Sequence, residues 1–324
     1  MRVFLTGGTG FIGGAIARQL RDAGHEVVAL VRSPDKAGDL RRVGAELVEG
    51  DLSSADAIAL AAHGCDAAIH GAAIYRVGVT HGQAEEMRRA NVDGTDHALE
   101  ALSRIGIGRI VYVSTVGIFG DTAGAVVDER HERDEADGFL SVYDETKFRA
   151  HQIALGHIRR GGQIVIVQPG AVYGPGDHSE LGTTLVRAAA GTLPAAVFPD
   201  LGVSMVHVDD VAAGTILALE HGRIGESYVL AGDQATMGEL IDRAAAIGGR
   251  KAPRFVVPAW LLRGLSPAGR LLAPVFGMPP NFKELVATSD GVTFWASHDK
   301  ATAELGYRPR SLDVGLPSAL HPAA

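Results

Sequence analysis

The sequence predicts an α/β fold: a doubly wound parallel sheet with a smaller C-terminal lobe. Three observations carry this. Short apolar runs alternate with helical patterns through the first half of the chain. A glycine-rich turn joins the first apolar run to the first helical segment. The alternation loosens after about residue 170, where prolines and glycines interrupt it. With 324 residues, the chain can hold two domains or one large domain with an appended lobe.

The elements follow in order. Arg2 to Thr6 reads as a buried strand, and Phe11 to Ala23 as a helix with apolar Ile12, Ala15, Ile16 and Leu20 on one face. Glu26 to Val31 is the second strand, Lys36 to Val43 a short helix, and Ala45 to Glu49 the third strand. Ser53 to His63 reads as a helix with Ser53 or Ser54 as N-cap. Asp66 to His70 is a strand, Gln83 to Ile105 a helix, and Arg109 to Ser114 a strand. Ser141 to Arg160 is a long helix, and Gln163 to Gln168 a strand ended by Pro169-Gly170. Later come a helix near Leu181 to Ala190, strands at Val203 to Val208 and Ser227 to Leu230, and a helix from Asp209 to Leu219 between them. Met237 to Arg310 reads as helical with prolines. This divides the chain into a domain over 1–170, which also receives strands from about 203–230, and an interleaved lobe over 171–324.

Composition narrows the function. Lys and Arg number 30 against 38 Asp and Glu, a net charge of −8, so the basic surplus of a nucleic-acid binder is missing. A single cysteine, Cys65, excludes an intramolecular disulfide and points to a reducing cytoplasm. It also leaves no thiolate cluster for zinc, and no other ligand spacing suggests a metal. The opening run Val3 to Leu5 is too short for a signal-peptide core. Pro258 to Phe276 is the most apolar late stretch, but two arginines and two interior prolines suit a lobe-packing helix better than a membrane span. The charge run Asp128 to Asp137 mixes both signs and reads as a solvated loop.

Sheets of this kind bind ligands beyond the carboxyl ends of their strands. Thr6-Gly7-Gly8-Thr9-Gly10-Phe11-Ile12-Gly13 occupies the first such position. Glycines at 7, 10 and 13 let the backbone approach a pyrophosphate, and the helix opening at Phe11 and Ile12 presents free N–H groups to it. This is the mark of a Rossmann-type dinucleotide site. The second strand ends in Arg32-Ser33-Pro34-Asp35-Lys36, where an acidic residue would select a free ribose 2′-hydroxyl. Arg32 and Lys36 favour a 2′-phosphate, hence NADP(H) over NAD(H). Asp51 and Leu52, after the third strand, are placed for the adenine, with an N-cap as the alternative role of Asp51.

Tyr143 and Lys147 are four residues apart at the start of the long helix, so they share a face. A nearby ammonium favours the phenolate, which would bring the tyrosine toward neutral pH for proton transfer. Ser114 and Thr115 end the strand beside it and offer a hydroxyl to orient a substrate oxygen.

Together these residues resemble an extended short-chain dehydrogenase/reductase of the NAD-dependent epimerase/dehydratase family, most like its dihydroflavonol-4-reductase-like members. The resemblance implies that Ala72 and Ala73, in His70-Gly71-Ala72-Ala73, line the nicotinamide ribose and that Asn91 supports the active site. It implies that Thr115 is the catalytic hydroxyl beside Ser114, and that Tyr143 and Lys147 are the Tyr-x-x-x-Lys pair. Pro169 to Gly176 and His207 to Val211 match further landmarks, with Pro169 at the cofactor. The arginine that grips a sugar-nucleotide diphosphate shortly before the His-Val-Asp-Asp landmark is missing from Pro199 to Val206.

The expectation is an NADP(H)-dependent oxidoreductase acting on a small ketone, aldehyde or alcohol, in an enzyme with the option of homodimerising. A nucleotide-sugar epimerase or dehydratase and a silent NADP(H) sensor are the alternatives. The substrate pocket is expected from Tyr75-Arg76, the loop after Phe119, the Gly176–Val203 region and the late lobe.

Overall fold

The computed structural model describes residues 1–265 and 281–320. β1 (Arg2–Thr6) leads through the glycine turn into α1 (Phe11–Asp22). β2 (Glu26–Val31), α2 (Gly38–Arg42), β3 (Glu46–Glu49), α3 (Ala55–Ala61) and β4 (Ala67–His70) follow. α4 (His81–Arg88) and α5 (Gly94–Arg104) are joined by a π-turn at Arg89–Asp93. β5 (Ile110–Val113), α6 (Val142–Arg159) and β6 (Ile164–Pro169) come next. The second half runs through β7 (Ala171–Tyr173), α7 (Glu180–Ala190), β8 (Ala196–Val197), β9 (Gly202–His207), α8 (Val208–His221) and β10 (Ser227–Leu230). It continues with β11 (Gln234–Thr236), α9 (Met237–Ile247), β12 (Val256–Val257), α10 (Ala259–Leu265) and β13 (Thr293–Phe294).

The main sheet has seven strands in the order β10-β6-β5-β4-β1-β2-β3, and every pair in it is parallel. Strand alternation feeds two cores. Val3 and Leu5 of β1 join α1 and α8 on one face, while Phe4 joins α3, α5 and α6 on the other. Each fully buried Val, Leu, Ile or Phe contributes ~1.5–3 kcal/mol. The strand order reverses between β1 and β4, and the carboxyl-edge crevice of such a sheet opens at that switch.

A four-stranded sheet, with β7, β11 and β13 all pairing β9, carries the lobe. The strand expected at Val203 to Val208 thus belongs here, and only Ser227–Leu230 reaches the main sheet. The cause lies at Gly170, where a Cβ would sit 2.2 Å from the Ser204 carbonyl. Its absence lets the chain leaving β6 turn out of the main sheet and pair along β9.

Other differences are also local. Gln83 to Ile105 is two helices, because the π-turn at Arg89–Asp93 brings Gly94 against Leu52, where a Cβ would lie 3.0 Å from the Leu52 Cβ. The Ser53 helix starts at Ala55 because Ser54 is its N-cap. Met237 to Arg310 is not uniformly helical: β12 and β13 interrupt it. β7, β8 and β11 were too short to show a period in the sequence. Of the apolar stretch from Pro258, Ala259–Leu265 is helical, and 266–276 lies outside the described residues. Among the described residues no helix is long and apolar enough to cross a membrane.

Candidate active site

A single crevice of about 2480 Å³ runs along the carboxyl edge of the main sheet and into the lobe. Sites for drug-sized ligands usually measure about 300–1,000 Å³, so this one has room for a dinucleotide and a second molecule.

One arm is made of backbone. Gly7 has φ +80°, and a Cβ on it would lie 2.7 Å from the Ala72 nitrogen. A Cβ on Gly13 would lie 2.1 Å from the Gly7 carbonyl oxygen. Gly10 N–H donates to that oxygen at 2.9 Å, closing the turn. α1 has no side-chain cap and no acidic residue in its first turn, so its N-terminal N–H groups are open to an anion. Gly7, Gly10, Phe11, Ile12, Gly13, Ala72, Ala73 and Pro169 all line this arm.

Its far end carries the residues expected at the adenosine. Asp51 and Leu52 line it. The Asp51 carboxylate accepts from Ser53 N–H (2.8 Å) and Ser53 Oγ (2.5 Å), which hold it below the usual carboxylate range. It is not the α3 cap. Arg32 lines the crevice, whereas Lys36 does not; Arg42, ion-paired with Asp39, stands there instead. The helix expected from Lys36 breaks into a 3-10 turn at Pro34–Lys36 and α2 from Gly38, and Arg42, largely exposed, ends α2 at the crevice rim.

Beneath the arm lies a buried polar chain. Thr6 Oγ1 meets His70 Nδ1 at 2.7 Å, His70 Nε2 meets Thr95 Oγ1 at 3.1 Å, and Thr95 Oγ1 donates to the Asn91 carbonyl at 2.7 Å. Burial, helped by the Lys147 charge, pushes His70 down to about 3, so it is neutral. Asn91 does not line the crevice. Its side-chain amide clasps Ile74, accepting from its N–H (2.7 Å) and donating to its carbonyl (2.9 Å), and also donates to Thr146 Oγ1 (3.1 Å). It thus ties the Tyr75 loop to the helix bearing Tyr143.

At the centre, Tyr143, Thr115, Ser114 and Lys147 all line the crevice. Ser141 caps α6 by accepting from Asp144 N–H at 3.0 Å. Asp144 is held by Arg133 in a two-pronged ion pair (2.5 and 2.9 Å) whose side chains are 6% and 8% exposed. The charge run that reads as a solvated loop therefore supplies a buried clamp. Its Glu129 is drawn in too, accepting from Val229 N–H at 2.7 Å.

Tyr143 meets the Tyr75 ring edge-on, with centroids 4.6 Å apart. Burial raises the Tyr143 phenol above its ordinary value, and hydrogen bonding with Thr115 opposes the rise. Lys147 Nζ donates to the Val113 carbonyl (2.9 Å) and to Tyr112 OH (3.3 Å), not to Tyr143. Burial lowers Lys147 to about 7. The expected downward pull of Lys147 on Tyr143 is thus not expressed here: the ammonium points at the strand, and burial dominates the phenol. Ser114 Oγ pairs with His151 Nδ1 at 3.0 Å, while Thr115 Oγ1 accepts from Gly117 N–H at 3.1 Å and donates to the Pro169 carbonyl at 3.5 Å. Burial, with the Lys147 charge second, depresses His151 to about 4.

Tyr112, His151, Thr95 and Arg133 were not anticipated as site residues. His151 was legible, being one helical turn beyond Lys147 on the same face. Arg133 carried no such signal. The second arm has an apolar wall of Leu193, Val197, Phe198, Leu201, Met237 and Leu285, and a polar edge that includes Asp177, Glu180, Thr183, Thr184 and Arg187. Tyr75 lines it, but Arg76 bonds Glu86 (2.7 Å) instead, and the segment after Phe119 stays out until Leu140.

The glycine turn, the switch-point crevice and the Tyr143–Lys147 helix coincide with a family pattern matched over residues 3–231. The chain belongs to the NAD-dependent epimerase/dehydratase family. It is an NAD(P)-dependent oxidoreductase of the extended short-chain dehydrogenase/reductase type. A Synechocystis protein provisionally named a dihydroflavonol 4-reductase is 32% identical, covering 98% of this chain and 93% of its own. The crystal structure of gox2253 has 36% identity and a TM-score of 0.84, covering 98% of this chain and 96% of that one. A dTDP-glucose 4,6-dehydratase from Streptomyces venezuelae, solved with NAD bound, has 26% identity and a TM-score of 0.80, covering 99% and 96%.

Proposed function

We propose that this enzyme interconverts an apolar ketone or aldehyde and its alcohol with NADP(H), using Tyr143 as the proton donor and acceptor. One observation carries the reading: Tyr143 and Thr115 line the same continuous crevice as the glycine turn and the apolar wall. The first arm fits a dinucleotide, because the close glycine contacts and the uncapped α1 terminus leave a cradle that a Cβ would fill.

When bound, a nicotinamide dinucleotide supplies or accepts the hydride. Tyr143 gives its phenolic proton to the substrate oxygen in reduction and takes it back in oxidation. Thr115 holds that oxygen, and Ser114, tied to His151, steadies the strand end. Lys147 is assigned the ribose hydroxyls, polar partners that would let its ammonium act on the phenol. Arg32 and Arg42 form the cationic end that suits a 2′-phosphate. Positioned proton transfer contributes about 10²–10⁴ in rate. Tyr143→Phe should therefore retain NADPH binding and lose about 10²–10⁴ of turnover. Unchanged turnover would refute the assignment.

Arg187 favours a second reading, since it could meet an anionic tail in the apolar arm. A nucleotide-sugar epimerase or dehydratase would recycle its cofactor within each turnover. The proposed reductase consumes NADPH in step with a ketone, which an absorbance assay over a substrate panel distinguishes. Binding of NADPH with no turnover across that panel would favour a sensor.

A further inference from the structure

Between Arg243 and Lys283 the sequence holds seven Lys and Arg residues and no Asp or Glu, although the whole chain carries a net charge of −8. The described part of this segment has two faces. Inward, β12 pairs β8, whose Val197 walls the apolar arm, and Leu262 of α10 packs with Phe198 and Val286. Outward, Phe255 is 63% exposed and Trp260 is 70% exposed, with Val256 and Leu261 exposed beside them. Lys251 and Arg254 are exposed in the same segment and have no ion-pair partner among the described residues. Arg263 is paired with Asp290, and Arg243 with Asp313.

Large aromatic side chains so exposed, in the same short stretch of chain as exposed cations, call for a partner. A two-fold contact between copies would set this basic face against itself, and like charges would repel. A lipid surface answers both features. Trp and Phe settle at the depth of the headgroups, and cations pair with anionic phosphates.

We propose that the outer face of this lobe docks on an anionic lipid bilayer, with Phe255 and Trp260 entering the interface and Lys251 and Arg254 contacting phosphates. Docking of this kind needs no spanning helix. The wall of the apolar arm and the docking face are two sides of one small sub-structure, so apolar substrates could pass from lipid to crevice.

The test uses the full chain and sedimentation with vesicles. Vesicles of phosphatidylcholine with about one-third phosphatidylglycerol should carry down about tenfold more protein than phosphatidylcholine alone, and high salt should release it. Phe255→Ser/Trp260→Ser and Lys251→Glu/Arg254→Glu should each abolish the binding while NADPH binding and thermal stability stay unchanged. The proposal is overturned by equal sedimentation with both vesicle types, by variants that still bind, or by no binding at all. It is also overturned if the parent self-associates in size-exclusion chromatography with light scattering and the serine variant does not, since the face then joins copies of the chain. The vesicle readout requires no turnover, so it stands apart from the reductase reading.

Discussion

The backbone-lined arm of the crevice and its apolar arm are built from different materials. In the first, the shape comes from missing side chains: Gly7 and Gly13 sit where no Cβ fits. In the second, the shape comes from side chains offered by α7, β8, β9, α9 and the helix Phe282–Ala287. Steric exclusion by backbone leaves little freedom, so such a site suits one invariant ligand. A wall of Leu, Val, Phe and Met can be repacked at small cost, so it suits a ligand that differs between relatives. The two arms meet at α6, whose first turn is fastened by Arg133–Asp144.

That fastening offers the largest test. Arg133→Ala strands a buried carboxylate and should cost about 3–5 kcal/mol of stability, read by denaturant unfolding. Because both arms rest on α6, cofactor and substrate binding should weaken together; a loss confined to one arm would break the picture of a shared clamp. Gly13→Ala comes next. Its new Cβ meets a backbone carbonyl that cannot give way, so about 1–3 kcal/mol of strain should fall on the turn. Titration with NADPH should show the loss, and full-strength binding would refute the steric account. Arg32→Ala should weaken NADPH binding by about ten- to a hundredfold, the worth of a charge-assisted contact, while leaving NADH unchanged. Equal losses for both cofactors would remove the 2′-phosphate role.

The smallest effect concerns pH. Burial lowers Lys147 from 10.5 to about 7, so between these values the unfolded chain holds a proton that the folded one has released. The contribution of this site to stability therefore rises with pH across that window, and the burden of a buried ammonium is greatest below it. Lys147→Met should gain most over the parent below pH 7, and the gap in melting temperature should narrow as pH rises. A gap that widens would mean that Lys147 is charged and well paired in the free protein.

Much of the first arm was legible because its signals are local. A glycine must stand where a Cβ would clash, and Arg32 ends a strand whose length the apolar run declares. Tyr143 and Lys147 share a face because four residues make about one helical turn. Asn91 was named, but its work is visible only in the fold, where its amide closes on Ile74 and Thr146, 17 and 55 residues away. Lys36 does not line the crevice: it closes a 3-10 turn, the helix expected from it starts two residues later at Gly38, and Arg42 at the end of that helix lines the crevice.

From the sequence alone came the parallel sheet, the glycine turn, the Tyr143–Lys147 face and the family, since each depends on spacing within about one element. Tertiary structure alone decided that β9 leaves the main sheet, that Arg133 is buried, and that Lys147 points at Val113 rather than Tyr143. Those outcomes depend on which distant groups compete for the same space and the same charge. Desolvation is set by everything packed around a residue, and no local pattern encodes it.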